Sequence, residues 1–260
     1  TRKGNALTGE KLTPVAEMQI GDAPPAAVYS WRQFDRQYAT LDDRFADRLR
    51  PELVRSSGPK NLFFATLATK YLGSGAGIGV TAHIPDLDYF CGRGGKDIIP
   101  LYRDADATCP NITEGLLDLL TSALGKEVSS DDLAAYVYAV LGGQSYTERF
   151  WNELETPGPR VPITRNVDLF FEGVKMGSRL IWLHTYAERF QIADQGDEVP
   201  QGEATTRKGV SSNPTQYPEE FSYDKNSEEI RVGSGKFGPV SEDIWEVEVS
   251  GHKVVQSCLG

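Results

Sequence analysis

The sequence predicts an α+β protein: twisted sheet regions, mixed or mainly antiparallel, organised around a central helical scaffold. Three observations carry that class. Residues 129–190 hold the strongest helical periodicity in the chain, opened by the capping sequence Ser129-Ser130-Asp131-Asp132. Short apolar runs bounded by glycine and proline precede it, as at Asn61–Leu67. Strand-like runs also follow it, at Glu229–Val232 and Ile244–Val249. The 260 residues thereby divide into a linker or edge segment over 1–25, a sheet-rich part over 26–128, the helical scaffold over 129–190, and a polar loop with a sheet-rich end over 191–260.

In chain order, the opening 25 residues carry turn-forming Gly and Pro with little periodicity. Ala26–Trp31 has the β-forming character of a short strand, and aromatic anchors alternate with long polar side chains from Arg32 to Tyr38. Asn61–Leu67 reads as a buried strand. The run Gly73-Ser-Gly-Ala-Gly-Ile-Gly79 has the spacing of a phosphate-cradling loop, but lacks the Gly-Lys-Ser/Thr ending and a clear βαβ setting. A flexible turn between strands is the better reading. Val80–Ile84 is the next expected strand. Ile98–Tyr102 is expected at an edge, because Pro100 removes a ladder donor. A helix over Glu114–Leu124 then covers the sheet.

In the scaffold, Leu133, Tyr136, Val137, Val140 and Leu141 share one helical face until Gly142-Gly143 interrupts it. Tyr146, Phe150 and Leu154 continue the period as far as Pro157-Gly158-Pro159. After Asn166 a longer helix carries Leu169, Phe170, Val174, Leu180, Ile181, His184 and Ala187. Gly173 and Gly177 lie on one side of it and permit close backbone packing. Near the end of the chain, strands are expected over Glu229–Val232, over Ile244–Val249 and after Gly251.

A net charge of −10 and a pI near 4.9 do not advertise a nucleic-acid binder. Distribution changes the argument. Residues 1–60 contain ten Lys or Arg against eight Asp or Glu, whereas 131–200 contain six against eleven. A local basic rim can meet phosphates even on an acidic chain. Cys91, Cys109 and Cys258 are too few and too separated for a disulfide framework, so a reducing cytoplasm is the expected setting. No apolar run has the length of a membrane-spanning helix, and no membrane partner is expected. A chain opening on Thr1 and closing on Gly260 also suits a fragment of something larger.

Chemistry-bearing groups are scattered. Asp86 and Asp88 are expected to hydrogen-bond or face solvent, since two carboxylates alone define no acid/base pair. His83, Cys91 and Cys109 lack a fourth zinc ligand. His184 lies on an apolar helical face and reads as a structural or interface histidine. His252 with Cys258 has no orienting third group, and Glu172-x-x-Lys175 has no upstream acidic partner. No catalytic residue and no metal ligand is therefore assigned.

The candidate phosphate contacts are Arg32, Arg36, Arg44, Arg48, Arg50 and Arg55, with Arg207 and Lys208 later in the chain. Asp42, Asp43, Asp47 and Glu52 interrupt the early group, and a salt-bridged surface is the simpler reading of those residues taken alone. Candidates for reading base edges are Gln33, Gln195, Gln201, Asn213 and Gln216. Four of these five lie in the polar stretch 192–217, which also fits a solvent loop.

Several separated blocks together resemble the C-terminal specificity domain of type ISP restriction–modification enzymes. They are Tyr29-Ser-Trp-Arg-Gln-Phe-Asp-Arg-Gln-Tyr38 with Arg50-Pro-Glu-Leu53, Ile84-Pro-Asp-Leu87 with Ile99-Pro-Leu-Tyr102, and Tyr136-Val-Tyr-Ala-Val-Leu141 with Tyr146-Thr-Glu-Arg-Phe150 and Arg160-Val-Pro-Ile163. Their order covers most of residues 26–260. The resemblance implies sequence-specific recognition of double-stranded DNA, with the target presented to an adenine methyltransferase module that this chain lacks. It implies no catalysis by this segment itself. S-adenosylmethionine, ATP and Mg²⁺ would serve the missing methyltransferase, translocase and nuclease modules, within an antiviral defence system. A non-catalytic protein–protein coupling module in such a complex is the competing expectation.

Overall fold

Helix-starting chemistry fixes the centre of the molecule. In the computed structural model, which describes residues 11–46, 49–67, 73–90, 97–153, 158–191, 198–216, 218 and 220–259, Ser129 accepts from the Asp132 N–H at 3.1 Å. Asp132 accepts in return from the Ser129 N–H at 2.9 Å, completing the capping box that starts helix α3, Ser130–Leu141. The Asn166 side chain caps α5, Val167–His184, by accepting from the Leu169 N–H at 3.0 Å. α3 and α5 pack face to face. Tyr136 stacks on Phe170 with ring centroids 4.5 Å apart, and Gly177 sits against the Ala135 carbonyl. A Cβ at Gly177 would fall 2.5 Å from the Ala135 carbonyl carbon and closer still to its oxygen, so the close approach requires glycine there. Gly142 ends α3, and α4 follows over Gln144–Arg149.

The helices cover a three-stranded antiparallel sheet in the order β4-β3-β5, made of β3 Phe63–Thr66, β4 Ile78–Thr81 and β5 Asp97–Pro100. Every residue of β3 and β4 is buried, and β5 forms the expected edge. Leu62, Phe64, Ile78, Val80, Leu133, Tyr138, Phe170 and Ile181 share one core that spans sheet and scaffold, joined by Leu120 and Leu124 of α2, Leu116–Leu124. α1, Pro51–Ser56, packs Leu53 against Phe63 and Ile84. Arg189, just past α5, donates to the carbonyls of Asn61 at 2.5 Å, Ala82 at 3.0 Å and Gly58 at 3.1 Å, tying the helix end to the segments around β3 and β4.

Three further antiparallel units surround this centre. The hairpin of β1 Ala27–Arg32 and β2 Asp35–Ala39 hangs on the 84–86 segment through Ser30, whose N–H meets the Ile84 carbonyl at 3.1 Å. A four-stranded sheet in the order β6-β9-β8-β7 is made of β6 Thr205–Lys208, β7 Phe221–Asp224, β8 Glu229–Val232 and β9 Gly235–Gly238. A short hairpin, β10 Glu248–Val249 with β11 His252–Lys253, precedes α7, Val254–Leu259. The sheets are thus antiparallel throughout the described residues.

Several expectations need correction. Val80–Ile84 is displaced: the strand runs from Ile78 to Thr81. Leu169 faces solvent at 54% exposure, and Ala187 lies past the end of α5. The glycine run is held rather than free. Ala76 N–H meets the Glu248 carbonyl at 2.9 Å and Gly251 N–H meets Ser74 at 2.7 Å, and a Cβ on Gly75 would collide with Glu248. Its glycines admit the C-terminal hairpin. Ile244–Val249 is not one strand, because α6, Glu242–Trp245, takes its first half. Glu242 and Asp243 suit a helix N-terminus, and Trp245 stacks on Tyr223 at 4.7 Å within the core of the C-terminal sheet. Leu154, Pro157 and Cys91 lie outside the described residues.

Candidate nucleic-acid interface

Three of the six early arginines, Arg32, Arg44 and Arg50, are used inside the fold. Arg44 forks onto Asp42 with bonds of 2.9 and 2.8 Å, donates to the Thr13 carbonyl at 3.0 Å, and leaves its side chain 9% exposed. Those bonds hold the Asp42 carboxyl below its ordinary range. Arg32 donates to the Ser257 carbonyl and so anchors α7, and Arg50 donates to the Pro85 carbonyl. Arg36 pairs with Glu188 and lies 4.0 Å over the Tyr186 ring. Arg55 pairs with Glu52 one helical turn away, at 2.5 Å. Arg32 and Arg50 therefore tie backbone segments together and Arg44 is locked onto Asp42, while Arg36 and Arg55 are ion-paired and partly exposed, as the salt-bridged reading expects. Arg48 lies outside the described residues.

The base-edge candidates separate in the same way. Gln33 is 3% exposed and its amide oxygen accepts from the buried Tyr89 hydroxyl, so that oxygen is already engaged inside the fold. Gln201, Asn213 and Gln216 are exposed. Asn213 Oδ1 accepts from the Thr215 N–H at 3.1 Å and its hydroxyl at 2.9 Å, and Gln216 accepts from the Ser211 hydroxyl at 2.9 Å. Local turns thus hold these two side chains. Gln195 lies outside the described residues. Arg207 and Lys208 belong to a strand, β6, and not to a loop.

The outer face of the four-stranded sheet gathers cations that sequence reading left unconnected. Ile230, Val232, Phe237, Phe221 and Tyr223 join Trp245 and Val240 in the core, so the alternating positions of those strands face outward. Lys208 pairs with Lys236, and Lys236 pairs with Arg231 across the next ladder. Glu229, with its side chain 8% exposed, accepts from Arg231 Nε at 2.8 Å and lies 3.2 Å from Lys236 Nζ and 3.7 Å from Arg207 Nη1. Hydrogen bonding from Arg231 holds the Glu229 carboxyl below its ordinary range, so it remains an anion among its cations.

The family model of the Type ISP C-terminal specificity domain matches residues 10–259. The chain belongs to this family. Comparison with curated proteins gives no match. Among solved structures, the specificity domain is similar to the cryo-EM structure of a DrdV–DNA complex, with a TM-score of 0.62 and 17% identity over 93% of this chain and 24% of that one. It is similar also to the ATP-dependent Type ISP restriction–modification enzyme LlaBIII bound to DNA, with a TM-score of 0.61 and 19% identity over 94% and 16%. A nuclease-deletion mutant of the Type ISP enzyme LlaGI with a DNA substrate mimic gives 0.55 and 18% over 90% and 17%. At these identities the likeness is one of fold, and the specificity domain spans no more than about a quarter of each of those chains.

No group of three or more His, Cys, Asp or Glu among the described residues is placed to hold a metal ion. An open cavity of about 500 Å³ lies between the early hairpin, α3, the end of α5 and residues 243–249, lined by Gln33, Tyr138, Gln144, His184 and Glu248. Within it the Tyr138 hydroxyl lies 2.6 Å from His184 Nδ1, and burial lowers the His184 pKa to about 4 and raises that of Tyr138. The neutral imidazole and the high-pKa phenol thus form one hydrogen-bonded pair on the cavity wall. Asp86 accepts from the Tyr29 hydroxyl and from the Asp88 N–H, the hydrogen-bonding role expected of it. Arg231, Lys236 and Glu229 are what sequence reasoning missed. Their i, i+2 spacing in Glu229-Ile-Arg231 signals a shared face, but Lys236 joins them only through hairpin register.

Proposed function

We propose that this specificity domain recognises double-stranded DNA in a sequence-dependent way and presents a target to a methyltransferase module of a restriction–modification enzyme. The observation that carries the reading is the family match across residues 10–259. Three proteins with which the chain shares its fold were solved with DNA or a DNA substrate mimic, which supports the same reading. In this proposal the exposed polar residues beside β6, above all Gln201, contact base edges, and one well-formed bidentate contact supplies about 1–3 kcal/mol of discrimination. S-adenosylmethionine, ATP and Mg²⁺ belong to other modules, and the working compartment is the cytoplasm, in keeping with free cysteines at Cys109 and Cys258. No described helix is long and apolar enough to cross a membrane.

Selection of the 260-residue chain against randomised duplexes tests the reading. An enriched base pattern is expected, altered by Gln201→Ala and retained by Arg44→Ala, whose guanidinium is tied inside the fold. Failure to bind any duplex would reject DNA recognition and leave the protein–protein coupling role, which predicts no protected base pattern.

A further inference from the structure

The row Lys208, Lys236 and Arg231 carries more positive charge than the carboxylate beneath it, Glu229, can neutralise. Register sets these three cations side by side on adjacent strands β6, β9 and β8, about 5 Å from one to the next. Like charges set opposite one another in a ladder destabilise it. Arg207 adds a fourth cation at the same carboxylate. Glu229 and Asp224 are the carboxylates paired with the group, Asp224 at 3.9 Å from Arg231, so these six side chains leave two positive charges over on a chain whose net charge is −10. Arg207, Arg231 and Lys236 keep between 42% and 48% of their side-chain surface exposed, and Lys208 is exposed with no partner among the described residues. An arrangement with this internal cost gains stability when an extended anion lies across it.

We propose that the outer face of this sheet is the surface on which the sugar–phosphate backbone of duplex DNA docks. Lys208, Lys236 and Arg231 meet phosphates, and Glu229 is a positioning residue that holds Arg231 and Lys236 in line. The inference rests on the duplex-recognition reading above and deepens it by naming the sequence-independent contacts. The row spans about 10 Å across three strands, which suits a polyanion carrying one charge per ~3.4 Å of axis on each strand better than a single small anion. Ser222 on β7 continues the row with a hydroxyl opposite Arg231. Gln201 lies four residues before β6 and Asn213 five after it, so base-reading candidates flank the strand that supplies Lys208.

Fluorescence anisotropy of the 260-residue chain on labelled duplexes of about 30 base pairs, one bearing the selected pattern and one scrambled, tests this between about 50 and 200 mM salt. Each lost phosphate contact reduces the slope of log K against log salt by about 0.9. Arg231→Gln with Lys236→Gln is expected to flatten the slope by about 1.8 and to weaken both duplexes by the same factor. Lys208→Gln is expected to flatten it by about 0.9, and serves as the second variant because that side chain bears no described contact to lose. Unchanged slopes in both variants, with the parent chain still binding, overturn this surface and leave DNA recognition standing. A change confined to the patterned duplex overturns it too, because it assigns these residues to base reading. If the parent binds neither duplex, the underlying reading falls and the docking surface with it.

Discussion

Replacing Gly177 by alanine isolates what the helical scaffold depends on. In an exposed helix interior this change stabilises by about 1 kcal/mol through helix propensity. Here the added Cβ would lie 2.5 Å from the Ala135 carbonyl carbon and 3.1 Å from its Cα, against the ~3.5–4.0 Å of ordinary carbon contact. The obstacle is backbone, so no rotamer change relieves it, and α3 and α5 must separate by roughly 1 Å at their crossing. A gap of that size forfeits between a quarter and a half of each contact well along the seam, which includes the Tyr136–Phe170 stack. Overpacking of this kind costs about 1–3 kcal/mol, and backbone against backbone belongs at the upper end. After the propensity gain the net loss is about 2 kcal/mol, or a Tm lowered by about 4–8 °C for a chain of this size. Urea and thermal unfolding of Gly177→Ala measure it, beside Gly173→Ala, whose Cβ meets only the Tyr136 ring at 3.0 Å, and Gly202→Ala, which meets nothing within 4 Å. Losses should rank 177, then 173, then 202. A Gly177→Ala protein as stable as its parent would refute the close-approach account of the scaffold.

Three other outcomes follow from the same geometry. Ser129→Ala removes the reciprocal cap of α3 and should cost about 1 kcal/mol in urea unfolding, with the midpoint lowered and the m-value unchanged. Gln33→Ala leaves the buried Tyr89 hydroxyl without its acceptor and should cost about 1–3 kcal/mol while the selected DNA pattern stays the same; a changed pattern would return Gln33 to the interface. Burial lowers His184 to about 4, below the ~6.5 of an unfolded histidine, so between those values the unfolded chain binds a proton that the fold excludes. That contribution is complete above about pH 6.5 and is lost as pH falls toward 4. His184→Gln, which keeps an acceptor for Tyr138, should flatten the stability profile across that window when urea midpoints are compared, and an unchanged profile would place the acid sensitivity elsewhere.

The scaffold was legible because its signals are local. Ser129 and Asp132 satisfy each other within one turn, Asn166 caps the next helix, and the small side of Gly173 and Gly177 shows directly in the spacing. β3 was legible from an apolar run too short for a helix, and β5 from Pro100. The segment Ile244–Val249 was misread because its residues favour a strand, while a tertiary contact, Trp245 on Tyr223, decides the outcome. The arginines illustrate a different limit. A sequence shows that Arg44 has acidic neighbours but not that it divides its fork between Asp42 and the Thr13 carbonyl, nor that Arg32 reaches a carbonyl 225 residues away. The cationic row depends on which residue of β9 stands beside which residue of β6 and β8, information that exists only after the ladders form.

Arg189 carries a mechanical consequence. Its planar guanidinium holds carbonyls from the segments before β3 and after β4, groups more than a hundred residues away along the chain. Five donors in a rigid fork act as a rivet where a lysine would be a swivel. Any push on the tail of α5 is therefore transmitted to the sheet as displacement and not absorbed as bending, so that a module bearing on the long helix would shift strands and helix together as one stiff body.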